Sequence, residues 1–178
     1  MAVDTDFAGC LKTRRSTNGG VATIGSHLIK TWSATQTVVA LSSGEAELGG
    51  LVKGAAEAIG LRSVAGDLGA TWNIVLHSDA TAAIGICRRR GLGKIRHLAV
   101  ADLWIQDHLK SRDFGLEKIL GALNPADLLT KYLDGTIQNG HIERIGLRCE
   151  EGRAASAPKL PRNDGGLCIC KLLSRQFW

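Results

Sequence analysis

The chain has 178 residues and a mass of 18.9 kDa, enough for one ordinary domain whose core needs no staples. Hydrophobic residues make up 44% and charged residues 22%, which excludes global disorder, and no apolar run reaches the ~18 residues of a membrane span. The net charge of +5 permits a polyanionic partner without requiring one. Asp4 and Asp6 stand where a secretory leader would be apolar, so an intracellular protein, cytoplasmic or nuclear, is expected. Five scattered cysteines in such a chain read as reduced thiols, and Cys168 with Cys170 lacks a second pair at zinc-site spacing.

In chain order, residues 3–7 are a short predicted strand. Residues 14–20 (RRSTNGG) carry turn chemistry, with Asn18-Gly19 as a hairpin signal. Residues 21–24 and 28–32 follow as strands joined at Gly25-Ser26. Ser42 and Glu45 have capping-box spacing, so a helix starts there and runs on through Leu48, Leu51, Ala55, Ala58 and Ile59 towards Leu68. Gly49, Gly50 and Gly54 weaken that helix, at ~1 kcal/mol each relative to alanine. Residues 73–77 (NIVLH) form a buried strand that stops at Ser78-Asp79. Helices are predicted over 81–87 and 97–109, and a strand over 114–120. Asn124-Pro125 then caps and opens a helix through Leu128, Leu129 and Leu133. The order predicts an α/β fold with a mixed five-stranded sheet, hairpin strands first and parallel crossovers later. Residues 148–178 hold two of the three prolines, three of the five cysteines and no period. They are expected to be a weakly ordered tail after a domain spanning 1–147.

Four carboxylates fall at informative places: Asp4 on the first strand, Glu47 one turn into the long helix, Asp79 at a strand end and Asp127 in a helical first turn. Such positions face a shared crevice in an α/β sheet, where converging acids repel one another unless cations hold them ionised. Hard divalent ions suit that role. Spacing alone leaves a second reading open, in which these are four unrelated surface acids, two of them favouring helix dipoles.

VDTDFAGC and TRRSTNGG, then TWSATQTVVALSSGEAEL, LHSDATAAI, KIRHLAVADLWIQDHL and ALNPADLLTKYL occur in that order over residues 3–147. Together they resemble the ribonuclease H domain of Ty1/copia-type retrotransposon Pol polyproteins, with ALSSGEAE and ADLLTK the most specific pieces. The resemblance implies a ribonuclease H-like fold in which Asp4, Glu47, Asp79 and Asp127 are the catalytic, metal-binding quartet. It implies two Mg²⁺ ions, with Mn²⁺ as the alternative, and Asp4 bridging both. Glu47 and Asp79 would mainly serve one ion and Asp127 the other. The implied chemistry is hydrolysis of the RNA strand of an RNA–DNA hybrid by metal-activated water. The implied partners are that hybrid and the reverse transcriptase domain of the parent polyprotein, with no membrane. Several positions depart from the family pattern. Only three residues precede Asp4, so the first strand is expected to be clipped, with its pairing in the sheet curtailed. Gly44 replaces the usual threonine, and Ala99 an acid. The loop GALN before Asp127 has no histidine to act as a proton shuttle. These departures motivate the alternative of an inactive retroelement remnant that binds nucleic acid or has no activity.

Arg88, Arg89, Arg90, Lys94 and Arg96 lie together without an intervening acid, and Arg14-Arg15 form a smaller basic pair. Both are candidate phosphate contacts, which would position a nucleic acid without reading its sequence. The bland alternatives are a solvated charge run and plain turn chemistry. The glycine-lysine stretch at 91–94 lacks the spacing of a P-loop, and Ser42-Ser43 has no histidine–acid pair to activate a nucleophile.

Overall fold

The computed structural model describes residues 1–91 and 103–148. These residues form five strands: β1 (Ala2–Thr5), β2 (Thr17–Ile24), β3 (His27–Thr35), β4 (Val75–Ser78) and β5 (Gly115–Lys118). They make one sheet in the order β3-β2-β1-β4-β5. The first three are antiparallel neighbours, whereas β1–β4 and β4–β5 are parallel. Among the described residues four α-helices accompany them: α1 (Ser43–Asp67), α2 (Thr81–Arg88), α3 (Trp104–Lys110) and α4 (Gly135–Arg144). This is an α/β fold with a mixed five-stranded sheet flanked by helices, in agreement with a ribonuclease H-like fold.

The strand β1 is the centre of the sheet. Its four residues are buried, it pairs with β2 from Ala2–Val21 to Thr5–Asn18, and His77 N donates to the Met1 carbonyl at 2.8 Å. The strand expected to be clipped is four residues long: its antiparallel pairing with β2 spans all four, whereas its parallel pairing with β4 is registered at Ala2–His77 alone. On one face Leu48, Leu51 and Ala55 of α1 pack with Leu76, Ile84, Ile105 and Leu116. On the other, Ala2 and Val21 meet Ala126 and Ile145. Residues Met1–Gly146 form one compact unit. The remaining unit, Leu147–Trp178, has only its first two residues described, so the expected tail lies outside the described residues.

The helix α1 starts where the capping box places it. Ser42 Oγ accepts from Glu45 N at 3.2 Å, and Glu45 Oε2 accepts from Leu41 N at 2.8 Å. Gly50 and Gly54 are what let α1 lie on β1. A Cβ on Gly54 would sit 2.6 Å from Val3 Cγ2, and one on Gly50 would overlap Thr5 Oγ1. Propensity is sacrificed there for close approach.

Three further expectations need correction. Asn18-Gly19 is not a turn but the interior of β2, because Gly19 is pressed against Leu129 and Thr130 and Gly20 against the Trp32 ring. The element opened by Pro125 is a 3₁₀ helix that ends at Leu129, leaving Leu133 outside it. No helix is predicted over α4, which is capped by Asp134, whose Oδ2 accepts from Thr136 N at 3.3 Å. The predicted helix over 97–109 is described only from residue 103, and β5 is shorter than the predicted 114–120. Cys10 and Cys87 are both free thiols, and burial pushes the Cys87 thiol up to about 12. Among the described residues no helix is long and apolar enough to cross a membrane.

Candidate metal centre and nucleic-acid interface

Parallel pairing sets the carboxyl ends of β1, β4 and β5 at one edge of the sheet, where α/β folds expose their crevices. Asp4 is the penultimate residue of β1, Asp79 follows β4, and the segment after β5 carries a 3₁₀ turn (Gly121–Leu123) and the 3₁₀ helix Pro125–Leu129 with Asp127. Glu47 reaches the same edge from α1. Its neighbour Ala46 is fixed through its carbonyl, which accepts from Gln36 Nε2 at 2.8 Å; the same Nε2 donates to Asn18 Oδ1 at 2.6 Å.

Asp4, Glu47 and Asp79 each offer an oxygen within 4.8 Å of the others. Asp4 is only 1% exposed. Asp127 stands outside that trio and joins it through Lys131. The lysine Nζ lies 3.1 Å from Asp4 Oδ1 and 2.9 Å from Asp127 Oδ1, and the Thr130 hydroxyl donates to Asp4 Oδ2. The structure thus gathers three of the four predicted acids directly and tethers the fourth.

Asp6, the neighbour most easily confused with Asp4, has another task. Its carboxylate accepts from Thr17 N and closes the loop between β1 and β2.

The electrostatics follow from this crowding. Burial, then the charges of Asp4 and Asp79, push the Glu47 carboxyl up to about 8. Burial also raises Asp127, against the pull of its hydrogen bond from Lys131. For Lys131 burial works downwards, but the bond to Asp127 and the charge of Asp4 outweigh it and hold the ammonium above the usual lysine range. Glu47 Oε2 is buried with no hydrogen-bond partner among the described residues. Such an atom beside two other carboxylates suits a hard cation with oxygen ligands and is otherwise costly.

Thr130 and Lys131 were missed as site residues in the sequence. The available signal was the Thr-Lys ending of ADLLTK and the four-residue spacing of Asp127 to Lys131.

The basic candidates divide. Arg14 and Arg15 are exposed in the loop between β1 and β2, at the same sheet edge as the acids, and Arg14 has a positive φ of 56°. Arg88 closes α2, which leads away from Asp79 for about 12 Å at 1.5 Å per residue, and its Nη2 donates to the Leu116 carbonyl at 2.7 Å. Arg89 is half-buried and Arg90 exposed. Lys94 and Arg96 lie outside the described residues.

The retrovirus-related Pol polyprotein from transposon TNT 1-94 of Nicotiana tabacum is 31% identical over 132 residues, 73% of this chain. The chain spans about a tenth of that polyprotein's length, 10%. No protein-family model matches the chain, and no solved structure matches it. The shared sequence supports an origin of this chain in a retrotransposon Pol polyprotein.

Proposed function

We propose that this chain is a metal-dependent endonuclease that hydrolyses the RNA strand of RNA–DNA hybrids, derived from a copia-type Pol polyprotein. The observation that carries the reading is the meeting of Asp4, Glu47 and Asp79 within 4.8 Å at the carboxyl edge of the sheet. The orphaned Glu47 Oε2 and the raised Glu47 pKa fit a divalent ion of the Mg²⁺ class held by those three residues. When bound, that ion supplies the positive charge that keeps the acids ionised and favours attack of water on a phosphodiester.

The chain's own residues prepare the site. Thr130 and Lys131 fix both oxygens of Asp4, so its carboxylate cannot turn away from the crevice. Gln36 holds the first turns of α1 and with them Glu47. Arg14 and Arg15 offer exposed cations at the same edge for the phosphates of the hybrid. Hydrolysis adds water across the P–O3′ bond, leaving 5′-phosphate and 3′-hydroxyl ends. The hybrid would come from the reverse transcriptase domain of the parent polyprotein.

The test is incubation of the purified chain with Mg²⁺ and labelled hybrid, duplex RNA or duplex DNA. Cleavage confined to the RNA of the hybrid is expected. Preference for duplex DNA would reassign the chain to another nuclease class, and no cleavage of any substrate would leave the inactive remnant as the reading.

A further inference from the structure

Three of the four acids are held by identifiable contacts. Asp4 is bonded by Thr130 and Lys131, and Asp127 by Lys131. Glu47 rides on α1, whose first turns Gln36 holds at the Ala46 carbonyl. For Asp79, no hydrogen bond or ion pair to its carboxylate is found among the described residues. Its oxygen nonetheless stands within 4.8 Å of those of Asp4 and Glu47. The close neighbour of its side chain is Gly121. A Cβ on Gly121 would lie 3.0 Å from Asp79 Oδ2 and 3.9 Å from Cγ, and chain neighbours aside would meet no other described atom within 4 Å. We propose that Gly121 is a positioning residue of the acidic site, its bare Cα leaving the space in which the Asp79 carboxylate faces Asp4 and Glu47. The inference rests on the metal reading given under Proposed function.

Backbone conformation does not call for glycine at this point. Gly121 lacks the positive φ of Gly25, Gly69, Gly91 and Gly146, and it opens a 3₁₀ turn that residues with side chains also adopt. The close approach to Asp79 is what the missing side chain serves.

The turn is held in place on several sides. Leu123 N donates to the Leu120 carbonyl at 2.8 Å, and Asn124 N to the Gly121 carbonyl at 2.9 Å. Arg144 Nη1, from α4, donates to the Ala122 carbonyl at 3.0 Å, and Asn124 Nδ2 to the Val3 carbonyl at 3.0 Å. The backbone around Asp79 is fixed as well. Ile119 N donates to the Ser78 carbonyl at 3.0 Å, and the fully buried Ser78 accepts from Ala80 N through Oγ at 3.2 Å. These bonds set the gap between the two backbones, and the movable part is the Asp79 carboxylate. A methyl at 3.0 Å lies inside ordinary van der Waals contact, which begins near 3.4 Å, so the carboxylate must shift by a few tenths of an ångström. A ligand displaced in this way costs affinity for a hard ion without unfolding the site.

The test is Mn²⁺ binding to the full chain by calorimetric titration, with thermal melts in chelator beside it. Gly121→Ala is expected to weaken Mn²⁺ binding about threefold, and Gly121→Val, with two further carbons in the same gap, about tenfold or more. Both should melt within about 4 °C of wild type, because every bond of the turn is made by backbone or by other side chains. Ala122→Val adds two carbons to an exposed neighbour on that turn and should hold Mn²⁺ within about twofold of wild type. At fixed Mn²⁺, kcat on the hybrid should fall for the Gly121 variants while KM stays within about twofold, since no phosphate contact is touched. Unchanged Mn²⁺ affinity in folded Gly121→Ala, or equal losses in Gly121→Val and Ala122→Val, overturns the proposal and leaves the metal reading standing. A melting temperature that drops in step with affinity also overturns it and assigns Gly121 to stability alone. No Mn²⁺ on wild type defeats the metal reading, and this inference falls with it.

Discussion

Asn124 is fully buried and bonds the Val3 carbonyl through Nδ2 at 3.0 Å, while its Oδ1 accepts from Ala126 N at 3.2 Å. One side chain thereby fastens the 3₁₀ helix that carries Asp127 to the strand that carries Asp4. Asn124→Ala strands the Val3 carbonyl and removes the cap, a loss of about 1–3 kcal/mol by denaturant unfolding. Hybrid cleavage is expected to fall by more than the unfolded fraction explains, since Asp127 loses its anchor. A stability change under ~0.5 kcal/mol would show that the contact contributes little.

The glycines of α1 predict opposite outcomes for one chemical change. Gly54→Ala puts a methyl 2.6 Å from Val3 Cγ2, and helix and strand must part; about 1–3 kcal/mol of stability is lost. Gly60→Ala meets nothing within 4 Å in the same helix, and should gain roughly 0.5–1 kcal/mol from backbone entropy. Thermal melts of the two variants beside wild type check both signs at once.

Glu47 gives a pH dependence. With divalent ions removed by chelator, its folded pKa of about 8 stands above the ordinary 4.5. Between those values the folded chain keeps a proton that the unfolded chain has released. The contribution of this group is fully present below the unfolded pKa and is lost as pH rises through the folded one. Asp127, also raised, acts in the same direction, while His77, His141 and the Met1 amine, all lowered, act in the other. The difference between Glu47→Gln and wild type isolates the effect. The melting advantage of the variant is expected to widen by several degrees from about pH 5 to about pH 8 and to shrink when Mg²⁺ is added. A constant difference contradicts the burial of Glu47 among like charges.

Local signals made much of this legible. The cap at Ser42, the apolar run ending at Ser78-Asp79 and the Asn-Pro start at 124 are each decided by a few adjacent residues, and they placed Glu47, Asp79 and Asp127. What escaped depends on distant partners. Asn18-Gly19 has the composition of a turn, and only the Trp32 ring and Leu129 explain why glycines belong inside β2. Thr130 and Lys131 act on a carboxylate 126 and 127 residues away, which no periodicity reports. The helix α4 carries Gly135 and Gly140 and buries only His141, so it has no apolar stripe to find.

The basic residues separate by what they touch. Arg14 and Arg15 are exposed at the acidic edge, so replacing both by alanine should weaken hybrid binding and reduce the salt slope by about two. Arg88 holds the Leu116 carbonyl, so Arg88→Ala should lower the melting temperature and leave the salt slope unchanged. Equal slopes for all three proteins would remove Arg14 and Arg15 from the interface.

The most direct measurement is single-turnover cleavage of a labelled RNA–DNA hybrid in Mg²⁺ by wild type and by Asp79→Asn. Asp79 is a half-buried residue beyond the end of β4, so the variant should melt within a few degrees of wild type. The account predicts a rate at least about 100-fold lower for Asp79→Asn, the scale of losing a charge that stabilises the transition state. Equal rates for the two proteins would contradict it.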